Sequence, residues 1–106
     1  MTVACLDLAR LRANADAASS LLKTLANPDR LLLLCQLAEG ERSVGELQAQ
    51  LGIVQPTLSQ QLAVLRREGL VATRRDGKQI HYRVADPAVL AVIHTLYQLF
   101  CAEERP

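Results

Sequence analysis

No hydrophobic run in this chain is long enough to cross a bilayer. The stretch from Leu31 to Cys35 falls far short of the roughly 20 apolar residues that a spanning helix needs. An export signal is missing too, because Asp7, Arg10 and Arg12 stand where its apolar segment would have to lie. Both absences point to a cytoplasmic protein with no membrane contact. Low-complexity segments are also lacking, and with 50% hydrophobic and 22% charged residues the chain reads as folded rather than disordered. At 106 residues it reads as one domain, 1–106, small enough that pairing with a second copy would help it. Three cysteines occur, but there is no Cys-x-x-Cys and no basic residue beside any of them in sequence, which argues against a thiol oxidoreductase.

Net charge is scarce as well, only +1, but its distribution is uneven. From Arg66 to Arg83 there are six basic residues (Arg66, Arg67, Arg74, Arg75, Lys78, Arg83) against Glu68 and Asp76, whereas acidic residues outnumber basic ones in the rest of the chain. A local basic patch of this kind is the electrostatic footprint of a nucleic-acid surface. It follows directly on the most informative stretch, Gln55 to Gly69. There Leu58, Leu62 and Leu65 recur at helical spacing and leave Thr57, Gln60, Val64 and Arg67 on the opposite face. Gln55, Thr57, Ser59 and Gln60, with Gln61 beside them, crowd the first turn. Short polar side chains there can bond base edges, and free backbone N–H groups can meet a phosphate. The spacing predicts a recognition helix.

Before it, Ala4, Leu8, Leu11, Ala15, Ala18, Leu22 and Leu25 alternate steps of four and three, the seam of a long helix that packs lengthwise on another helix. Asn27 and Pro28 read as N-cap and first position of a helix to about Glu39. That helix is apolar nearly all round and is predicted to be the buried centre, ending at Gly40. Ser43 with Glu46 forms a capping box opening a short helix through Leu51, with Val44, Leu47 and Leu51 facing inward. Gly52 ends it, so two helices and a short glycine turn make a helix-turn-helix. Leu70–Arg75 and Gln79–Val84 are β-prone runs around Asp76 and Gly77, a hairpin signal. A basic hairpin in this position is a wing, with Arg74, Arg75 and Lys78 placed to reach phosphates. Asp86 and Pro87 cap a last helix to about Cys101, whose Leu90, Ile93, Leu96, Tyr97 and Phe100 suit the N-terminal seam. The predicted fold is mainly α with a small β-hairpin: four helices, two strands and a fifth helix.

The segment LANPDRLLLLCQL from Leu25, the stretch Gly52 to Leu70 and the hairpin through Val84 together resemble the ArsR/SmtB family of winged helix-turn-helix repressors. The resemblance implies a cytoplasmic homodimer, joined through its first and last helices, that binds double-stranded operator DNA and releases it to an inducer. In that family the inducer is usually a metal, yet the positions that would hold one are unsuited. Where a Cys-x-Cys is needed, the chain reads Ser43, Val44, Gly45, Glu46, Leu47. On the last helix Asp86 matches, but Ala88, Leu99 and Ala102 stand where histidine and glutamate belong. His81 and His94 are isolated. No metal or cofactor is expected at either site.

What remains is sulfur. Cys35 and Cys101, 66 residues apart, are similar in placement to the thiols of the family's redox, persulfide-sensing branch. By that resemblance they would be the sensing pair, bridged by reactive sulfur species or another oxidant so that DNA is released, and the regulated genes would handle sulfide. Cys5 lies outside the pattern. Cys35 and Cys101, with or without Cys5, are also what a cysteine-based arsenite or zinc sensor would use, which stays open as the alternative. Without the resemblance, cysteines on apolar helices are more often small core residues.

Overall fold

The computed structural model describes residues 7–101, so Ala4, Cys5 and Ala102 of the sequence reading lie outside the described residues. The chain order is α1 (Leu8–Leu25), α2 (Pro28–Ala38), β1 (Arg42–Ser43), α3 (Val44–Leu51), α4 (Thr57–Arg67), β2 (Val71–Asp76), β3 (Gln79–Val84) and α5 (Pro87–Phe100). Helix starts follow the expected chemistry. Asn27 Oδ1 accepts from the Arg30 amide at 3.0 Å, and Asp86 Oδ1 accepts from the Ala88 amide at 2.9 Å, each ahead of a proline that needs no partner. Ser43 Oγ accepts from the Glu46 amide at 3.1 Å while Glu46 Oε1 accepts from the Ser43 amide at 2.8 Å. The bond from the Ser43 amide to the charged form, with the Ser43 side chain beside it, lowers the Glu46 carboxyl pKa from its ordinary value.

Two features of the sheet depart from the sequence reading. The sheet has three strands in the order β1-β3-β2, all antiparallel, because Arg42 and Ser43 pair with Tyr82 and His81. The hairpin tip also shifts by one residue. Asp76 pairs with Gln79, leaving Gly77 and Lys78 as the turn, and Gly77 takes the positive φ of 64° that such a tip requires.

The core is made from Leu33, Leu34 and Leu37 of α2, Leu47 of α3, the stripe Leu58, Leu62 and Leu65 of α4, and Val89 and Ile93 of α5, closed by Leu25, Ile53, Leu70 and Val71. α2 is central but not buried all round, contrary to expectation: Leu32 is 46% exposed and Cys35 lies on the same open side. Four leucines in a row leave the choice of buried side to whatever packs against the helix. Val89, rather than Leu90, is the fully buried anchor near the start of α5. Up to Leu22 the seam of α1 lies largely open, as does the end of α5, with Leu8 59%, Leu22 59% and Phe100 69% exposed. Among the described residues no helix is long and apolar enough to cross a membrane.

Candidate functional site

α4 follows α3 through the turn at Gly52, with Ile53 buried beneath it. Its apolar stripe fixes the helix on the core, so Ser59, Gln60, Ala63, Arg66 and Arg67 are exposed as a set. The start of α4 is capped in an unanticipated way. Pro56 is the cap residue and makes no side-chain cap bond; instead Gln55 Oε1 accepts from the Ser59 amide at 3.2 Å and from the Ser59 hydroxyl at 2.7 Å. The Leu58 amide donates to the Val54 carbonyl at 3.0 Å. Two of the first-turn amides read from sequence as open to a phosphate are therefore already engaged. Gln60 stays exposed, while Thr57 is half-buried.

Two candidate contact residues are held by the fold. Gln61 is half-buried, and its Oε1 accepts from Arg30 Nη1 at 2.9 Å. Arg30 also donates through Nε to the Thr24 carbonyl at 2.6 Å, so one guanidinium ties the end of α1 and the body of α4 to the start of α2. Gln61 faces inward here, away from the exposed set. Arg74 is bound to Glu41 at 2.7 Å, steadying the wing against the loop before β1. Arg75 and Lys78 are exposed at the wing's end. Sequence reasoning missed both Arg30 and Glu41, since their partners lie 31 and 33 residues away.

The second feature is a groove of about 580 Å³ between α2 and α5. Its lining includes Leu31, Leu32, Ile93, Leu96, Tyr97 and Phe100, and both Cys35 and Cys101 open onto it. Both are free thiols. Partial burial in this apolar wall, the charge of Cys101 and then that of Glu39 push the Cys35 thiol above its ordinary pKa. Its protonated form therefore dominates further up the pH scale than for a free cysteine. Iodoacetamide should alkylate Cys35 more slowly than a model thiol at pH 7.5, with a rate still climbing where the model thiol has levelled off; an early plateau would show an open, solvated thiolate. Among the described residues no group of three or more His, Cys, Asp and Glu side chains is gathered as for a metal ion. His94 is exposed on the groove's rim, and His81 is half-buried in β3.

Known proteins share this fold. Residues 27–73, from the cap of α2 into the wing, match the family described as bacterial regulatory protein, arsR family. The biofilm growth-associated repressor of Agrobacterium fabrum (strain C58 / ATCC 33970) is 62% identical over 84 residues, which cover 79% of this chain and 72% of that protein. The crystal structure of the transcriptional repressor BigR from Xylella fastidiosa matches with a TM-score of 0.83 at 50% identity, covering 94% of this chain and 99% of that one. Reduced HlyU from Vibrio cholerae N16961 matches with a TM-score of 0.85 at 44% identity, covering 89% and 99%. The likeness runs through the terminal helices as well as the helix-turn-helix and wing, and the chain belongs to the arsR family of bacterial regulatory proteins.

Proposed function

We propose that this protein is a dithiol-switched transcriptional repressor. It binds operator DNA as a homodimer while Cys35 and Cys101 are reduced, and lets go when reactive sulfur species or another oxidant bridges them. The observation that carries this reading is that two cysteines far apart in sequence line one groove. The similar proteins from Agrobacterium and Xylella are named as repressors, which supports the direction of control.

The chemistry balances without a cofactor. One thiolate takes the sulfane sulfur of a hydropersulfide, releasing the donor thiol and leaving a cysteine persulfide. The other thiol attacks the inner sulfur of that persulfide, expels sulfide and closes the bridge. The dithiol is oxidised by two electrons as the sulfane sulfur is reduced to sulfide. A gene set that consumes sulfide or persulfide is the fitting target, and the cytoplasm, where the operator lies, the fitting place.

A bridge would fasten the latter half of α2 to the end of α5. α2 also holds α4 through Arg30 and Gln61, and α5 carries the exposed Tyr97, Leu99 and Phe100 suited to a subunit contact. Strain at the groove thus reaches both the reading helix and the dimer seam. Two recognition helices must meet successive major grooves about 34 Å apart, so a small change at the seam misplaces one of them.

On the DNA, Gln60 and Thr57 would read base edges with the Gln55–Ser59 pair beside them, while Arg75 and Lys78 take phosphates. Gln60→Ala should weaken operator binding by about 1–3 kcal/mol and random DNA hardly at all, whereas Arg75→Ala should weaken both alike and lower the salt slope by about one. Titrations of both sequences over a salt series check this, and the reverse pattern would move the reading surface to the wing. Arsenite or zinc sensing by the same thiols is the competing reading. Operator release on adding a sulfane-sulfur donor, with none on adding stoichiometric arsenite or zinc, supports the persulfide switch; release by the metal or metalloid alone overturns it.

A further inference from the structure

The groove that holds the two thiols also has a charge character, and it is one-sided. Among the described residues, the lining between the apolar side chains of α2 and α5 carries one carboxylate, Glu39 at the end of α2, and no lysine or arginine. Arg42 reaches Glu39 only at 4.0 Å, a loose pair in which the Glu39 side chain remains 72% exposed. Gln36, Tyr97 and the rim residue His94 are the other polar side chains. A donor whose organic part bears carboxylates would have to shed part of their hydration against leucine and phenylalanine. Among the described lining residues it would find no arginine or lysine, and it would meet Glu39 as a like charge. An apolar donor gains by burying the same surface.

Resting on the dithiol reading above, we propose that the Cys35–Cys101 groove selects a neutral, apolar carrier of sulfane sulfur, of the dialkyl polysulfide class, over carboxylate-bearing carriers. The reaction closes stoichiometrically. One thiolate attacks the central sulfur of a dialkyl trisulfide, forming a cysteine–alkyl trisulfide and expelling one alkyl thiol. The second thiol then attacks that same sulfane sulfur, breaking its bond to the remaining alkyl-bearing sulfur, expelling the second alkyl thiol and leaving the two cysteines joined through one added sulfur atom. Two protein thiols and one trisulfide give one bridged protein and two alkyl thiols.

The test uses the full, reduced protein and two donors with the same reactive sulfur chain: dipropyl trisulfide, and the trisulfide of 3-mercaptopropionate with its two carboxylates. Rates of bridging are followed by intact mass at pH 8 and divided by the rates of the same donors with a small neutral thiol, which removes intrinsic reactivity. The apolar donor should be favoured by about tenfold or more at low salt, with the preference narrowing as salt screens Glu39. Glu39→Gln changes the Cys35 thiol for both donors alike, so the ratio is the readout; it should fall severalfold, and Glu39→Lys should bring it to unity or below. Bridging at equal normalised rates would overturn the selection while leaving the thiol switch in place. No bridge with either donor would overturn the switch, and the selection with it.

Discussion

Serine in place of Cys35 is expected to give a protein that binds the operator and no longer responds to sulfur donors. The thiol is exposed on the open side of α2 and no hydrogen bond to it anchors the core, so Cys35→Ser should leave stability and DNA affinity within about 0.5 kcal/mol of the parent under reducing conditions. A hydroxyl cannot take sulfane sulfur or close the bridge. Coupling between an inducer and DNA in regulators amounts to roughly 5–150-fold in affinity, and the variant should lose all of it. Operator titrations with and without donor, on both proteins, measure the difference. Loss of DNA binding by the reduced variant would return Cys35 to the role of a packing residue.

The next largest effect belongs to α4, the proposed recognition helix. Leu58 is completely buried at the start of α4, directly beside Ser59 and Gln60. Leu58→Ala removes that anchor and opens a cavity under the reading surface, which should cost about 2–5 kcal/mol. For a domain of this size that corresponds to a fall in Tm on the order of 10–30 °C. Val54→Ala, at a side chain that is 66% exposed just ahead of the same helix, should stay within about 0.5 kcal/mol. Thermal melts of the pair check the contrast; equal, small losses would mean α4 is seated differently on the core.

How legible these features are in the sequence depends on whether their cause is local. The caps at Asn27 and Asp86, the capping box at Ser43 and Glu46, and the Leu58, Leu62, Leu65 stripe all depend on residues two to four apart, and each forms where the pattern indicates. The short β1 strand escapes notice because its two residues are simultaneously the lead-in to that capping box, and only β3, nearly 40 residues later, turns them into strand. The open side of α2 is invisible for a similar reason, as Leu31 to Leu34 carry no period that distinguishes inside from outside. Chain position makes Gln61 and Arg74 candidate DNA contacts but gives no sign of their partners Arg30 and Glu41, which only the fold brings to them. The cysteines are the reverse case. Their spacing has no meaning in a linear reading without a resemblance, and packing of α5 on α2 sets both on one groove.

The most direct measurement is intact mass spectrometry of the reduced protein before and after a sulfane-sulfur donor, with peptide mapping and promoter binding read on the same sample. The dithiol account predicts a crosslink between Cys35 and Cys101, a disulfide or one heavier by whole sulfur atoms, appearing in step with release of the DNA. Release without that crosslink, or the crosslink with DNA still bound, would contradict it.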